Sequence, residues 1–262
     1  MKSLSLDLDS PYVQMPKVAV IGDNEVYTSK RRKYHGGFLG QIAPVTISTL
    51  LNGLVAYWPA NNLDGIDIIS GNIVNVIGGN AESQPGKIGN CWSALAGGAI
   101  IQEVTDTINI SFPNSFTLHC WTRYTIAPTG FTKILAKFTA GGGYQVSQSA
   151  GTYNFIVQNA VSDFTLIGPS IDADSIWHRL VFYHDKDRNV VGSIKDSNAA
   201  IENNLGAFVY APPTDSADFT LAELRFSVTA NQIDEIGMWN RALTSSELLT
   251  LWNGGAGKTY PF

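Results

Sequence analysis

Charge is scarce in this chain. Asp, Glu, Lys and Arg make up 15% of its 262 residues, against roughly a quarter in an average soluble domain. Aromatic residues at 11% and hydrophobic residues at 44% supply ample material for a core, so the shortage of charge does not signal disorder. Cysteine is rarer still: Cys91 and Cys120 are too few for a disulfide scaffold and form no C-x-x-C pair. Each precedes a tryptophan in an apolar setting, which reads as two buried free thiols, with one disulfide between them as the alternative. No run approaches the ~18 apolar residues of a transmembrane helix, so no membrane span is expected. The first residues carry one lysine and then acids where an export leader has an apolar stretch, so no leader is expected in them. A net charge of −5 lacks the basic surplus that phosphate backbones attract, which argues against nucleic acid as a partner.

Catalytic signatures are also missing. The four histidines, His35, His119, His178 and His184, show neither H-x-H nor H-x-x-x-H spacing, so zinc has no motif. Gly-x-Ser-x-Gly is absent, and the three glycines at 141–143 lack the Lys-Ser/Thr of a phosphate loop and read as a hairpin turn. Asp172 and Asp174 lie in turn-like sequence and read as a solvated loop, as does Glu202-Asn203-Asn204. Asp234 and Glu235 are adjacent, so in a regular strand they point to opposite faces and cannot act as a pair.

What is present divides in two. Residues 1–51 hold six basic and four acidic side chains, a net +2 that leaves −7 for the rest. This arm has one short strand candidate at 17–21, the run Lys30, Arg31, Arg32 and Lys33, and a Gly36-Gly37 hinge. It holds too little apolar material for a core of its own, and the basic run is a candidate docking contact for an acidic neighbour. From residue 52 to 262, short apolar runs recur about every ten residues between Gly, Asn, Asp and Ser. Strands are expected at 54–58, 99–104, 116–123, 132–138, 144–148, 153–158, 164–167, 177–184, 190–195, 219–224 and 233–239. One helix is expected after the capping box Thr244-Ser245-Ser246-Glu247, with Leu248, Leu249, Leu251 and Trp252 as its apolar stripe and Gly254-Gly255 as its stop. The pattern predicts an all-β fold of two stacked antiparallel sheets with a carboxy-terminal helical clasp.

Four segments within about 54–255 give the chain a resemblance to the concanavalin A-like lectin/glucanase superfamily, in its laminin-G-like branch. They are 53–59 (GLVAYWP), 86–90 (GKIGN) with 115–121 (SFTLHCW), 176–183 (IWHRLVFY), and 233–243 (IDEIGMWNRAL) running into the helix. The resemblance implies a jelly-roll sandwich. It also implies a structural calcium near an Asp-x-Ser-Gly-Asn-type loop, here matched with one residue extra by Asp67, Ser70, Gly71 and Asn72, with Asp234 a further candidate ligand; calcium takes ~6–8 oxygen ligands. Glucanase members carry a Glu-x-Asp-x-x-Glu strand that seats a carboxylate pair ~5–5.5 Å apart, and no such triplet occurs here. The expectation is therefore a protein that is not an enzyme. Sugar recognition uses aromatic platforms and planar polar groups, for which Trp92, Tyr144, Tyr153, Tyr210, Asn203 and Asn204 are the candidates. The first reading is a virion structural protein, such as a capsid decoration, head-fibre or tail-associated protein of a bacteriophage. Residues 1–51 would anchor it to other proteins of the particle, as a trimer, with the lectin-like domain displayed toward host glycans. An exported bacterial carbohydrate-binding module is the alternative, and a laminarinase-like hydrolase the third.

Overall fold

A computed structural model describes residues 48–61, 66–71, 75–77, 81–94, 99–104, 110–126, 130–139, 141–213, 219–225 and 232–262. The chain divides into two units, Met1–Val45 and Thr46–Phe262, and the described residues all belong to the second. The basic run Lys30, Arg31, Arg32 and Lys33 and the side chain of Asn72 lie outside them.

The described residues form β1 (Leu54–Trp58), β2 (Asn75–Ile77), β3 (Ala81–Pro85), β4 (Asn90–Ala94), β5 (Ala99–Val104), β6 (Phe116–Arg123), β7 (Thr132–Thr139) and β8 (Gly142–Ser149). There follow β9 (Thr152–Asn159), β10 (Asp163–Ser170), β11 (Trp177–Asp185), β12 (Val190–Lys195), β13 (Ile201–Asn204), β14 (Phe219–Arg225), β15 (Gln232–Trp239) and the helix α1 (Ser245–Trp252). One sheet runs β13-β12-β11-β6-β15-β4-β3 with β1 also paired to β15, and the other runs β10-β9-β8-β7-β14-β5-β2. Every observed pairing is antiparallel.

All the expected strands form, some a few residues longer than their apolar runs. The strands not expected are β2, β3, β4 and β13. Glu202, Asn203 and Asn204 look like a turn but form β13, where they pair with Gly192, Val191 and Val190 of β12. All four residues of β13 are exposed, so its order comes from the backbone ladder that β12 offers and leaves no apolar alternation to read.

The core lies between the sheets. Phe116, Leu118 and Cys120 of β6 and Leu180 and Phe182 of β11 meet Tyr144, Val146, Phe155, Val157 and Leu166 from the other sheet, each large side chain contributing about 1.5–3 kcal/mol by leaving water. Cys91 and Cys120 are free and buried. The opposite face of β6, carrying Thr117, His119 and Trp121, is buried as well, because α1 and the residues after it cover that side. Trp121 stacks on Trp252 at 5.6 Å, Leu248 packs on Val181, Tyr183 and Ile194, and Phe262 meets Tyr57 and Trp239 at 5.4 and 6.0 Å.

The helix starts where its capping box predicts. Thr244 Oγ1 accepts from Glu247 N and Glu247 Oε2 accepts from Thr244 N, and Asn253 closes the other end in the left-handed conformation. Arg241, at the corner leaving β15, donates to both carboxylate oxygens of Glu247 at 2.8 and 2.7 Å. It also donates to the carbonyls of Asn52 and Thr49, so one guanidinium ties the entry of β1 to the helix. The strand registers bring the end of β6 and β12, the start of β7, β9 and β11, and the end of β10 to one end of the two sheets.

Candidate functional site

At that end the chain leaves β10 after Ser170 and enters β11 at Trp177. The connection is pinned by Ser175, which adopts φ 63° and donates from its N–H to the Tyr124 carbonyl at 3.0 Å, and by Asp174, whose Oδ1 accepts from Ile176 N at 2.9 Å. Asp172 and Asp174 are thereby held beside His178, the second residue of β11. From the other side Asp196, at φ 57° just past β12, accepts from Arg179 N through Oδ1 at 2.9 Å and lies 2.7 Å from His178 Nδ1 through Oδ2. His178 Nε2 is 3.3 and 3.2 Å from the two oxygens of Asp174 and 3.8 Å from Asp172 Oδ2. Lys195 Nζ donates to Asp172 Oδ2 at 2.7 Å and to the Ser170 carbonyl at 3.0 Å. Burial works against the charged imidazole, but the hydrogen bond and charge of Asp196, followed by those of Asp174, outweigh it and raise its pKa above the ordinary value.

The same end presents apolar side chains to solvent: Ile126, Phe131 and Ile176 are 50, 53 and 58% exposed. Phe131 is the one exposed phenylalanine, tyrosine or tryptophan among the described side chains. Three non-glycine residues with positive φ, Ala150, Ser175 and Asp196, lie in loops of this end, where backbone strain accompanies a shape fixed by its surroundings.

A second polar cluster lies under α1 and the final residues. The expectation that Asp234 and Glu235 point to opposite faces is corrected here. The register of β15 on β6 shifts between Asp234 and Gly237, and Glu235 adopts φ 50°. Ile233, Ile236 and Met238 all reach the core, so the extra residue leaves both carboxyls off the core side. Asp234 accepts from Ile88 N at 3.0 Å and from Glu235 N at 2.9 Å. The Tyr57 hydroxyl donates to Glu235 Oε2, and His119 Nδ1 lies 3.0 Å from the Glu235 carbonyl. Burial first of all pushes Asp234 up to about 8 and Glu235 to about 7, and, with the Arg179 charge adding to it, lowers His119 to about 3. All three side chains are inaccessible to solvent, so no substrate reaches them in this state.

The proposed sugar-binding aromatics are placed differently from expectation. Trp92, Tyr144 and Tyr153 are fully buried in the core and present no face to a ligand. The Tyr144 hydroxyl donates to the Ile110 carbonyl, and that of Tyr153 lies 3.0 Å from Thr122 Oγ1. Tyr210 is half-buried against Phe116 and His184. Asn203 and Asn204 are exposed on β13, and Asn204 Oδ1 accepts from Gly206 N. Of the calcium candidates, Asp67 accepts through Oδ1 from Tyr57 N and Ile69 N and through Oδ2 from the Ser70 hydroxyl, Asp234 accepts from Ile88 N and Glu235 N, and Asn72 lies outside the described residues. Asp172 and Asp174 lie in a loop, as their turn-like sequence predicts, and His178 stands at the start of β11. Their convergence was signalled only by an Asp-x-Asp loop running straight into a strand that opens Trp-His.

No protein-family model matches the chain, and no curated protein matches it. Solved structures do. The binding domain of Paraclostridial Mosquitocidal Protein 1 is similar with a TM-score of 0.64 at 13% identity, over 78% of this chain and 52% of that one. The binding domain of botulinum neurotoxin DC in complex with SialylT gives 0.61 at 14% identity over 78% and 52%, and the same toxin's binding domain in complex with rat synaptotagmin II gives 0.57 at 14% over 77% and 52%. The chain spans about half the length of these structures. At such identities the likeness is one of fold: this is an all-β, two-sheet domain of the architecture found in the binding domains of these toxins.

Proposed function

We propose that residues 52–262 form a non-catalytic recognition domain of the jelly-roll, concanavalin A-like and laminin-G-like kind, and that it binds a cell-surface glycan. The observation that carries this reading is the fold's likeness to binding domains, one of them solved in complex with SialylT. The burial of the Asp234 and Glu235 carboxyls supports binding over hydrolysis. The binding end is the one where Phe131 offers an exposed ring face on which a sugar can stack, with the polar groups of Asp172, Asp174 and His178 at the same end. We further propose that the domain is displayed from a virion, held to other particle proteins through residues 1–51 and their basic run at 30–33, as a trimer. A glycan array probed with the full chain tests the first part: retention of sialylated or other glycans is expected, with loss in Phe131→Ala. If no glycan is retained and β-glucans are hydrolysed, the domain is an enzyme and the proposal fails. A protein receptor is the second reading, favoured by the relative solved with rat synaptotagmin II; binding to protease-treated cells separates the two.

A further inference from the structure

His178 poses a chemical problem that its neighbours leave with two solutions. Its Nδ1 faces Asp196 Oδ2 at 2.7 Å, and that carboxylate is fixed by the Arg179 N–H on its other oxygen. Nδ1 therefore carries the proton. The opposite nitrogen then holds a lone pair, yet it faces the carboxylates of Asp174 and Asp172. Acceptor against acceptor is repulsive unless a second proton or a cation lies between them.

The spacing fits a cation. Donor atoms of Asp172, Asp174 and His178 all lie within 4.8 Å of one another. Zinc bonds of ~2.0–2.2 Å place two tetrahedral ligands about 3.3–3.5 Å apart, and Nε2 is 3.3 and 3.2 Å from the two oxygens of Asp174; Asp172 Oδ2, 3.8 Å away, is already bound by Lys195 Nζ at 2.7 Å, which leaves Oδ1 of that carboxylate for an ion. A histidine whose far nitrogen is held by a carboxylate is the usual second layer of a metal site, because it fixes the tautomer and the ring plane. Asp196 performs that task from a different loop from the two acidic donors. The carboxylate side chains are 39 and 40% exposed and the imidazole 13%, which leaves an entry path and room for a water as fourth ligand. One imidazole with two carboxylates is a nitrogen–oxygen set suited to zinc or a neighbouring first-row metal; calcium prefers oxygen alone.

We propose that Asp172, Asp174 and His178 bind a single divalent cation of the zinc class, oriented by Asp196, which clamps the 171–176 loop to the start of β11. The site shares its end of the sheets with the proposed glycan-binding surface, but its test uses no glycan, so the two readings can fail separately. The full chain, stripped with a chelator and titrated with Zn2+ alone by calorimetry, is expected to take up one equivalent per chain, and Co2+ in its place is expected to give the visible absorption of a four-coordinate ion. His178→Ala is expected to abolish uptake and Asp174→Asn, at an exposed position, to weaken it at least about tenfold without affecting folding. Asp196→Asn, a residue type that tolerates positive φ, is expected to weaken binding about 10–100-fold through the orientation of the ring. The absence of saturable Zn2+ uptake would overturn the proposal, as would uptake unchanged in Asp174→Asn, or preference for Ca2+ over Zn2+.

Discussion

At the scale of single residues, Glu235 and Asp234 set a measurable pH dependence. Their carboxyls lie at about 7 and about 8 in the folded chain, against ordinary values near 4 when unfolded. Between those limits the native state binds more protons than the unfolded one, so raising the pH weakens folding until the folded value is passed. His119 acts in the other sense: neutral down to about 3 when folded, it adds stability as the pH rises toward ~6.5, where the unfolded imidazole has lost its proton. From pH 6.5 to 8 the carboxyls therefore act unopposed by His119. The thermal midpoint is expected to fall over that interval, and to fall less steeply in Glu235→Gln; equal slopes in a calorimetric series would refute this. Glu247 behaves in the ordinary way. The Arg241 hydrogen bonds hold it down at about 2, so its contribution is present above ~4.5 and is lost as the pH drops from there through about 2. Arg241→Ala removes the two guanidinium hydrogen bonds to that carboxylate, leaving it the Thr244 donors, and the two carbonyl contacts to residues 49 and 52. A loss of about 2–4 kcal/mol is expected in urea denaturation at neutral pH.

At the scale of elements, α1 owes its place to a few side chains on the sheet below. Trp252 stacks on Trp121 and lies 5.3 Å from the Arg179 guanidinium, while Arg179 also donates to the Leu248 carbonyl. Trp252→Ala is expected to cost about 2–4 kcal/mol and to raise the accessibility of the remaining indoles to acrylamide; unchanged quenching would mean that the helix is held by something else. A tighter constraint sits at Gly192, where an added Cβ would meet the Tyr183 ring at 2.1 Å. Gly192→Ala is expected to destabilise by about 1–3 kcal/mol in the same assay. These elements differ in how plainly the sequence announced them. β6, β11 and β15 carry apolar residues at alternate positions and were legible, as was α1 from Thr244 and Glu247. β3 and β13 were not, because Ala-Glu-Ser-Gln-Pro and Ile-Glu-Asn-Asn have little strand propensity and are ordered by their neighbours. The bulge in β15 was hidden by the expectation of a regular strand through Ile-Asp-Glu-Ile-Gly-Met-Trp, although the adjacent Asp234 and Glu235 break the alternation between Ile233 and Ile236, and no glycine marks the positive φ at Glu235. The His178 cluster was hidden for a related reason. Its geometry depends on left-handed turns at Ser175 and Asp196, neither a glycine, and on β12 returning Asp196 to the start of β11.

At the scale of the whole molecule, recognition and stability are separable. Phe131 is exposed and outside the core, so Phe131→Ala is expected to leave the denaturation midpoint within about 0.5 kcal/mol of wild type while removing glycan retention. β15 has the opposite character. It lies centrally in its sheet, bonded to β6 on one side and to β1 and β4 on the other, although it is the last strand in chain order. The Trp239 indole donates to the Leu50 carbonyl across 189 residues of sequence, and Phe262 packs on Tyr57. Closing contacts of that separation is slow. During synthesis the sheet must therefore wait, with the apolar sides of β1, β4 and β6 uncovered, until its keystone strand has been translated. Native pairing in this sheet is expected to complete only after residue 239 has emerged from the ribosome.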